Sequence, residues 1–272
     1  MKKILVSILV ILIIIFGVLV YSRFLGIKGL KTNEILIQDN IPQSFDGLKI
    51  VHFADIHYKK VITEEQVVNL VQEINRLKPD VVIFSGDLLD KDYSITGNDI
   101  KFLVSELSLI ESKYGSYAVL GDQDVSYREE VNNIYLQSDF ILLENDSVII
   151  QNENYDRIQL VGISKYDDIE KVIDSSDKSL YNIVIMHEPD YVDSILNYNI
   201  PLVLASHSIG GSINIPLIRN FLLPNGAKKY YKSYCKINDT KLYISNGIGL
   251  NNVNFRFMNT PSINFYRFKK NS

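Results

Sequence analysis

Five short apolar runs in this sequence each end on a residue that can bind a cation. Leu48 to Ala54 is followed by Asp55-Ile56-His57, and Val81 to Ser85 by Gly86-Asp87-Leu88-Leu89-Asp90. Tyr117 to Leu120 is followed by Gly121-Asp122-Gln123-Asp124, and Asn182 to Met186 by His187-Glu188-Pro189. Leu202 to Ala205 leads into Ser206-His207-Ser208-Ile209-Gly210-Gly211. Asp oxygens and His nitrogens suit hard-to-borderline divalent ions such as Mn, Fe, Zn or Mg. Two such ions roughly 3.5–4 Å apart can clamp a phosphate and lower the pKa of a water between them. One Asp after a strand is ordinary turn or cap chemistry. Five strand ends in succession, each delivering a carboxylate or an imidazole, are hard to assign to caps. Glycine ahead of Asp87 and Asp122 lets the chain turn sharply where it must approach an ion.

The elements that position these residues read as strands alternating with helices, which predicts an α/β core. Ligands in such sheets gather at the C-terminal ends of the strands. Thr63 to Lys78 reads as a helix: Thr63 and Gln66 form a capping-box pair, and Val67, Leu70, Val71, Ile74 and Leu77 share one face. Pro79 stops it. A second helix is expected over Ile100 to Ile110, with further helices near Asp168–Ile173 and Tyr191–Leu196. Arg157 to Ser164 reads as another strand. Apolar runs on both sides of Asn145-Asp146 predict a hairpin over 140–150. The segment Lys229–Phe268 is Tyr-rich and alternating, broken at Gly247 and Gly249.

The order Asp-x-His, Gly-Asp-x-x-Asp, Gly-Asp-Gln-Asp, His and His-x-Ile resembles the calcineurin-like metallophosphoesterases. Their motifs run Asp-x-His, Gly-Asp-x-x-Asp, Gly-Asn-His-Asp/Glu, His and Gly-His-x-His. Phe45 to Ile50, Gly210-Gly211 with Pro216, and Leu242 to Gly249 look like their membrane-associated bacterial phosphodiesterase branch. The resemblance covers about residues 33–268. It implies a four-layer αββα sandwich of two mixed β-sheets with helices outside. By analogy Asp55 and His57 would hold a first metal, Asp87 would bridge, and Asp122, His187 and His207 would hold a second. The catalytic positions would be Asp122 and Gln123.

Three departures from the family pattern matter. Asp122 stands for the family's Asn, adding one negative charge that should hold the metal more tightly and blunt its Lewis acidity. Gln123 stands for a His held to assist the leaving group. Gln donates a hydrogen bond but delivers no proton near neutral pH, and general acid–base help is typically worth about 10²–10⁴-fold. Ile209 stands for the second His of Gly-His-x-His, which leaves the first metal with Asp55, His57 and Asp87. Two readings follow: a phosphoesterase with altered metal use, or a degenerate domain that binds a metal or phosphorylated ligand without turnover. A purely structural extracellular domain is the third. His52, Asp90 and Asp124 read as core or supporting groups that orient ligands. Asn246 stands where relatives often carry Arg.

Met1-Lys2-Lys3 precedes an uncharged apolar run from Ile4 to Val20, about 25 Å long as a helix and at the short end for a bilayer span. It reads as an uncleaved signal anchor in preference to a cleaved signal peptide, because Val20-Tyr21-Ser22 is a poor small-x-small cleavage site. Residues 1–32 are then anchor and linker and 33–272 the phosphoesterase domain. The domain is expected outside the cytoplasm, with a phosphoester substrate, lipid or cell-envelope by location. The net charge of −4 comes with no basic stripe, which argues against nucleic acid. No protein partner is indicated. The single cysteine, Cys235, precludes an internal disulfide and a Cys-based zinc site.

Overall fold

Ile50, Val81 and Ile83 alternate along their strands with Val51, Phe53, Val82 and Phe84, and all seven are buried. A two-residue period on strands apolar on both faces means that both faces are covered. The computed structural model, which describes residues 2–164, 166–210, 215, 219–250 and 255–271, shows how. The first sheet has the order β1-β12-β2-β3-β4-β5. Its strands are β1 (Lys31–Asp39), β2 (Lys49–Phe53), β3 (Val81–Phe84), β4 (Ser116–Ala118), β5 (Phe140–Leu142) and β12 (Ser262–Lys270). The second has the order β10-β11-β9-β8-β7-β6. It comprises β6 (Asp146–Gln151), β7 (Arg157–Ile163), β8 (Tyr181–Met186), β9 (Leu202–Ala205), β10 (Tyr234–Ile237) and β11 (Thr240–Ile244). Both sheets are mixed. β2 to β5 run parallel and β12 pairs antiparallel with β2. β7, β8, β9 and β11 run parallel, flanked by antiparallel β6 and β10.

Ile50, Val81 and Ile83 meet Leu160, Ile183, Ile185 and Leu204 between the sheets. On the outer face of the first sheet, Val51, Phe53, Val82 and Phe84 pack under α2 (Glu64–Arg76), α3 (Gly97–Leu107) and α4 (Arg128–Gln137). On the outer face of the second, Val161, Val184 and Val203 pack under α5 (Ile169–Ser175) and a 3₁₀ segment, Pro189–Tyr198. The result is the αββα sandwich of two mixed sheets that the sequence led us to expect. Helix α2 buries Val67, Leu70, Val71 and Ile74, each contributing about 1.5–3 kcal/mol on burial. Its Thr63–Gln66 capping box is present, worth about 1 kcal/mol.

Two expectations are corrected. The runs flanking Asn145-Asp146 do not form a hairpin. β5 pairs parallel with β4 in the first sheet, whereas β6 pairs antiparallel with β7 in the second. Leu143 is buried between the sheets, so the chain crosses from one sheet to the other there, and the hairpin is β6–β7. Residues 1–32 are not all anchor and linker either. After α1 (Lys2–Val20), a π-turn over Tyr21–Leu25 continues the helix, and β1 already begins at Lys31.

No residue of α1 is buried. The helix Lys2–Leu25 is long and apolar enough to cross a membrane. Its far end is docked on the domain. The Arg256 backbone N–H donates to the Ser22 carbonyl at 2.9 Å, and the Tyr21 and Phe257 rings meet edge-on at 6.3 Å. A side chain at Gly26 would strike the Arg256 carbonyl.

Candidate metal centre

The loops after β2, β3, β4, β8 and β9 meet at one edge of the two sheets. Parallel neighbours bring their C-terminal ends to the same side, so residues far apart in sequence converge. Asp55, His57 and Asp87 form one cluster and Asp87, Asp122, His187 and His207 a second, each with ligand atoms mutually within 4.8 Å. Asp87 belongs to both. All six residues that the sequence singled out as ligands therefore come together, and Gln123 lies beside them. Gly211, Ser212 and Pro216 lie outside the described residues.

Local backbone serves this convergence. Asp55, His57, Asp87 and His207 have φ of 55°, 45°, 61° and 63°, a left-handed conformation that costs a non-glycine residue of order 1 kcal/mol or more. Asp124 holds the turns in place. Its carboxylate accepts backbone N–H groups from Asp87 (2.8 Å), Leu88 (2.9 Å), Leu89 (3.1 Å) and Gly121 (3.0 Å). Gly121 is required because a Cβ there would collide with the Asp87 carboxylate.

His187 and His207 are each tied by one nitrogen and present the other. His187 Nδ1 is 2.7 Å from the Ser85 carbonyl and its Nε2 is 3.1 Å from Asp87 Oδ2. His207 Nε2 is 2.8 Å from the Asn225 carbonyl and its Nδ1 is 3.1 Å from Asp122 Oδ1. A carbonyl only accepts, so the tied nitrogen carries hydrogen and the other faces the cluster. His57 Nδ1 lies 3.2 Å from Asp90 Oδ2 and its Nε2 3.5 Å from Asp87 Oδ2. Asp90 is held in turn by Lys60 at 2.8 Å. Two of the carboxylates are split in the same way. Asp87 Oδ1 accepts from the Gln123 backbone N–H at 2.9 Å. Asp122 Oδ2 accepts from Gln123 Nε2, and its Oδ1 is 3.3 Å from His187 Nε2.

The electrostatics are those of a cation site. Burial raises the Asp55 carboxyl above its ordinary value, opposed by His187 and reinforced by Asp87. Burial works against charge on His187, yet Asp87, Asp122 and Asp55 raise it well above the ordinary range. The same contest raises His57 through Asp90 and Asp87, and His207 through Asp122. Burial would raise Asp122 and Asp90. His187 and His207 hold Asp122, and His57 and Lys60 hold Asp90, well below the carboxylate range. Asp55 Oδ1 and Oδ2, both ring nitrogens of His57 and Asp87 Oδ2 are buried with no hydrogen-bond partner. Unsatisfied buried carboxylate oxygens are costly unless a cation meets them, so this donor set fits a divalent ion.

Arg256 escaped the sequence reading. It is fully buried, and its guanidinium donates to the carbonyls of Asn246 (2.8 Å), Gly247 (3.2 Å) and Gly249 (3.0 Å). Burial lowers it to about 9, with Asp55 opposing, so it stays cationic at neutral pH. Gly247 packs directly on Asp55: a Cβ there would stand 2.9 Å from Asp55 Cβ. Nothing in a lone Arg flanked by Phe255 and Phe257 marks it as a buried clamp. His52, read as a supporting residue, is buried against Ser85 Oγ (2.7 Å) and Tyr266 Oη (3.3 Å). Glu188 is partly buried, its carboxylate against Gly226.

The sequence profile of calcineurin-like phosphoesterases matches residues 48–230, which include all six clustered residues. An uncharacterized metallophosphoesterase of Bacillus subtilis (strain 168), YkuE, is 25% identical over 92% of this chain and 89% of its own. The phosphodiesterase YaeI of Escherichia coli (strain K12) is 24% identical over 74% of this chain and 75% of its own. Among solved structures, the calcineurin-like phosphoesterase YfkN from Bacillus subtilis superposes with a TM-score of 0.44 at 14% identity, over 74% of this chain and 81% of that one. With the profile matched over more than half its length, this chain is a member of the calcineurin-like phosphoesterase family.

Proposed function

We propose that this chain is a membrane-anchored, metal-dependent phosphoester hydrolase. The observation that supports it most is the sharing of Asp87 between two clusters, with the Asp55 oxygens and Asp87 Oδ2 buried and without hydrogen-bond partners. In this reading Asp55, His57 and Asp87 hold a first divalent ion, and Asp87, Asp122, His187 and His207 a second, drawn from Mn, Fe, Zn or Mg. Bound ions would supply Lewis acidity toward phosphoryl oxygens and an acidified water. The protein's own part is orientation. Ser85 and Asn225 fix two imidazoles, Asp90 faces the third as a charge partner, Gln123 fixes two carboxylates, and Asp124 fixes the loops. Gln123 has no proton to give, so the suited substrates are esters whose leaving group departs without protonation. Residues 1–32 form the anchor and its exit, and 33–272 the catalytic domain on the extracytoplasmic side. That placement makes lipid or cell-envelope phosphoesters the natural class.

A second reading is favoured by one observation. The Gln123 amide is buried and committed to Asp122, as expected of a domain that binds a metal or phosphorylated ligand without turnover. Elemental analysis combined with hydrolysis of bis-p-nitrophenyl phosphate in manganese separates the two. Two ions per chain with manganese-dependent release of p-nitrophenol supports the hydrolase. Bound metal without release supports the binder, and absence of bound metal overturns both.

A further inference from the structure

Beside the metal centre lies a cavity of about 380 Å³ lined by Lys31, Asn33, Gly210, Lys232, Asn246 and Asn259 among others. Among the described residues no Asp or Glu lines it, although the chain as a whole carries more acids than bases. Lys31 and Lys232 are exposed, and among the described residues neither is paired with a carboxylate. The Asn246 side-chain oxygen accepts from the Ser233 hydroxyl at 3.4 Å, which leaves its NH₂ group as a donor. The cavity is thus rich in cations and donors, while its neighbour, one residue away, is rich in carboxylates.

The connection between the two is close. Asn246 precedes Gly247, which packs on Asp55. Gly210 lies three residues beyond His207, and the Asn259 amide donates to the Ile209 carbonyl. We propose that this cavity is an anion subsite, receiving a second phosphate of a phosphoester whose scissile group lies at the metal centre. The proposal rests on the hydrolase reading for what happens at the metals, but not for binding in the cavity. Ammonium groups on flexible stems suit a phosphate as point charges, and a cavity of this size holds a phosphorylated headgroup fragment. Lys31 follows the helix end at Leu25 by six residues, so the cavity wall stands at most about 20 Å from that end. A phosphorylated lipid in the same bilayer and a soluble bisphosphate share the required chemistry.

The test uses the full chain in detergent micelles with manganese. Two esters share one leaving group: thymidine 5′-(p-nitrophenyl phosphate), and the same compound carrying a 3′-phosphate. The wild type should favour the second, mainly through KM, by about tenfold. In Lys31→Ala/Lys232→Ala, and more so in Lys232→Glu, that ratio should fall toward one. A ratio equal in wild type and variants overturns the subsite. If no turnover occurs, calorimetric titration with thymidine 3′,5′-bisphosphate reads the cavity directly. Binding that weakens about tenfold in the double variant keeps the subsite while the hydrolase reading fails, and binding insensitive to both lysines overturns it. Phosphatidic acid in mixed micelles and glycerol 3-phosphate then compete for the bisphosphate. Tighter lysine-dependent competition by the lipid assigns a membrane source, equal competition a soluble one, and competition by neither overturns the subsite.

Discussion

Gln123 donates its side-chain amide to Asp122 Oδ2 at 2.6 Å. With the Gln123 backbone N–H on Asp87 Oδ1, one residue turns two carboxylates so that a single oxygen of each faces the cluster. Its position in the chain is where the family resemblance implies a proton donor, but its contacts are those of a positioning residue. Gln123→Ala should lower manganese affinity by about 10–100-fold, the range for lost outer support of a metal ligand. Calorimetric titration of metal-free protein reads this directly.

Replacing Gln123 by His addresses the leaving group instead. Gln123→His combined with Ile209→His should accelerate hydrolysis of alkyl phosphodiesters by about 10²–10⁴-fold, the worth of a positioned general acid. p-Nitrophenyl esters, whose leaving group needs no proton, should gain far less. Rates compared on the two ester types decide it, and equal gains on both would contradict the proton-donor account.

Asp87 is shared by both clusters, so Asp87→Asn should cost more metal than any other single ligand change. Elemental analysis should show both ions reduced in Asp87→Asn. His207→Ala should reduce one only.

Asp124 accepts four backbone N–H groups from two loops. Asp124→Ala leaves them buried and unpaired, at about 1–3 kcal/mol for each donor that finds no water. A loss of roughly 3–5 kcal/mol in urea unfolding is expected, a large share of the stability of a domain. Asp124→Asn, which keeps one acceptor oxygen, should lose about half as much.

His52 is fully buried, and burial lowers its pKa from 6.5 to about 3. Its folded value is depressed and its charged form is the protonated one, so the unfolded chain binds the extra proton between those values. Stability should therefore fall as pH drops below about 6.5, by about 1 kcal/mol per unit from this group, and level off near 3. Urea midpoints at pH 7 and pH 5.5 should differ less in His52→Gln than in the wild type.

The convergence of ligands was legible in the sequence because β2, β3, β4, β8 and β9 are buried strands with a plain apolar signature. Parallel neighbours then leave Asp55, Asp87, Asp122, His187 and His207 at one edge. Helix α2 was legible from its cap and stripe. The step at Asn145 was not, since two short apolar runs around a turn residue look alike whether they pair with each other or with different sheets. The 3₁₀ geometry of Pro189–Tyr198 was hidden by apolar spacing compatible with an α-helix. Arg256 was hidden because its role depends on carbonyls of the β11–β12 connection, whose direction the sequence does not encode locally. The carbonyls of Ser85 and Asn225 are backbone atoms, which no residue type announces.

The Ser22–Arg256 bond ties the exit of the apolar helix to the residue that clamps Gly247 over Asp55. In the proposed membrane-anchored form the helix therefore carries its domain on a short strut rather than a loose leash. The placement of the domain against that helix is then set by the Tyr21 ring, the Ser22 carbonyl and the close backbone approach at Gly26. Excising the helix to obtain a soluble fragment removes the carbonyl that holds the Arg256 backbone as well as the apolar segment.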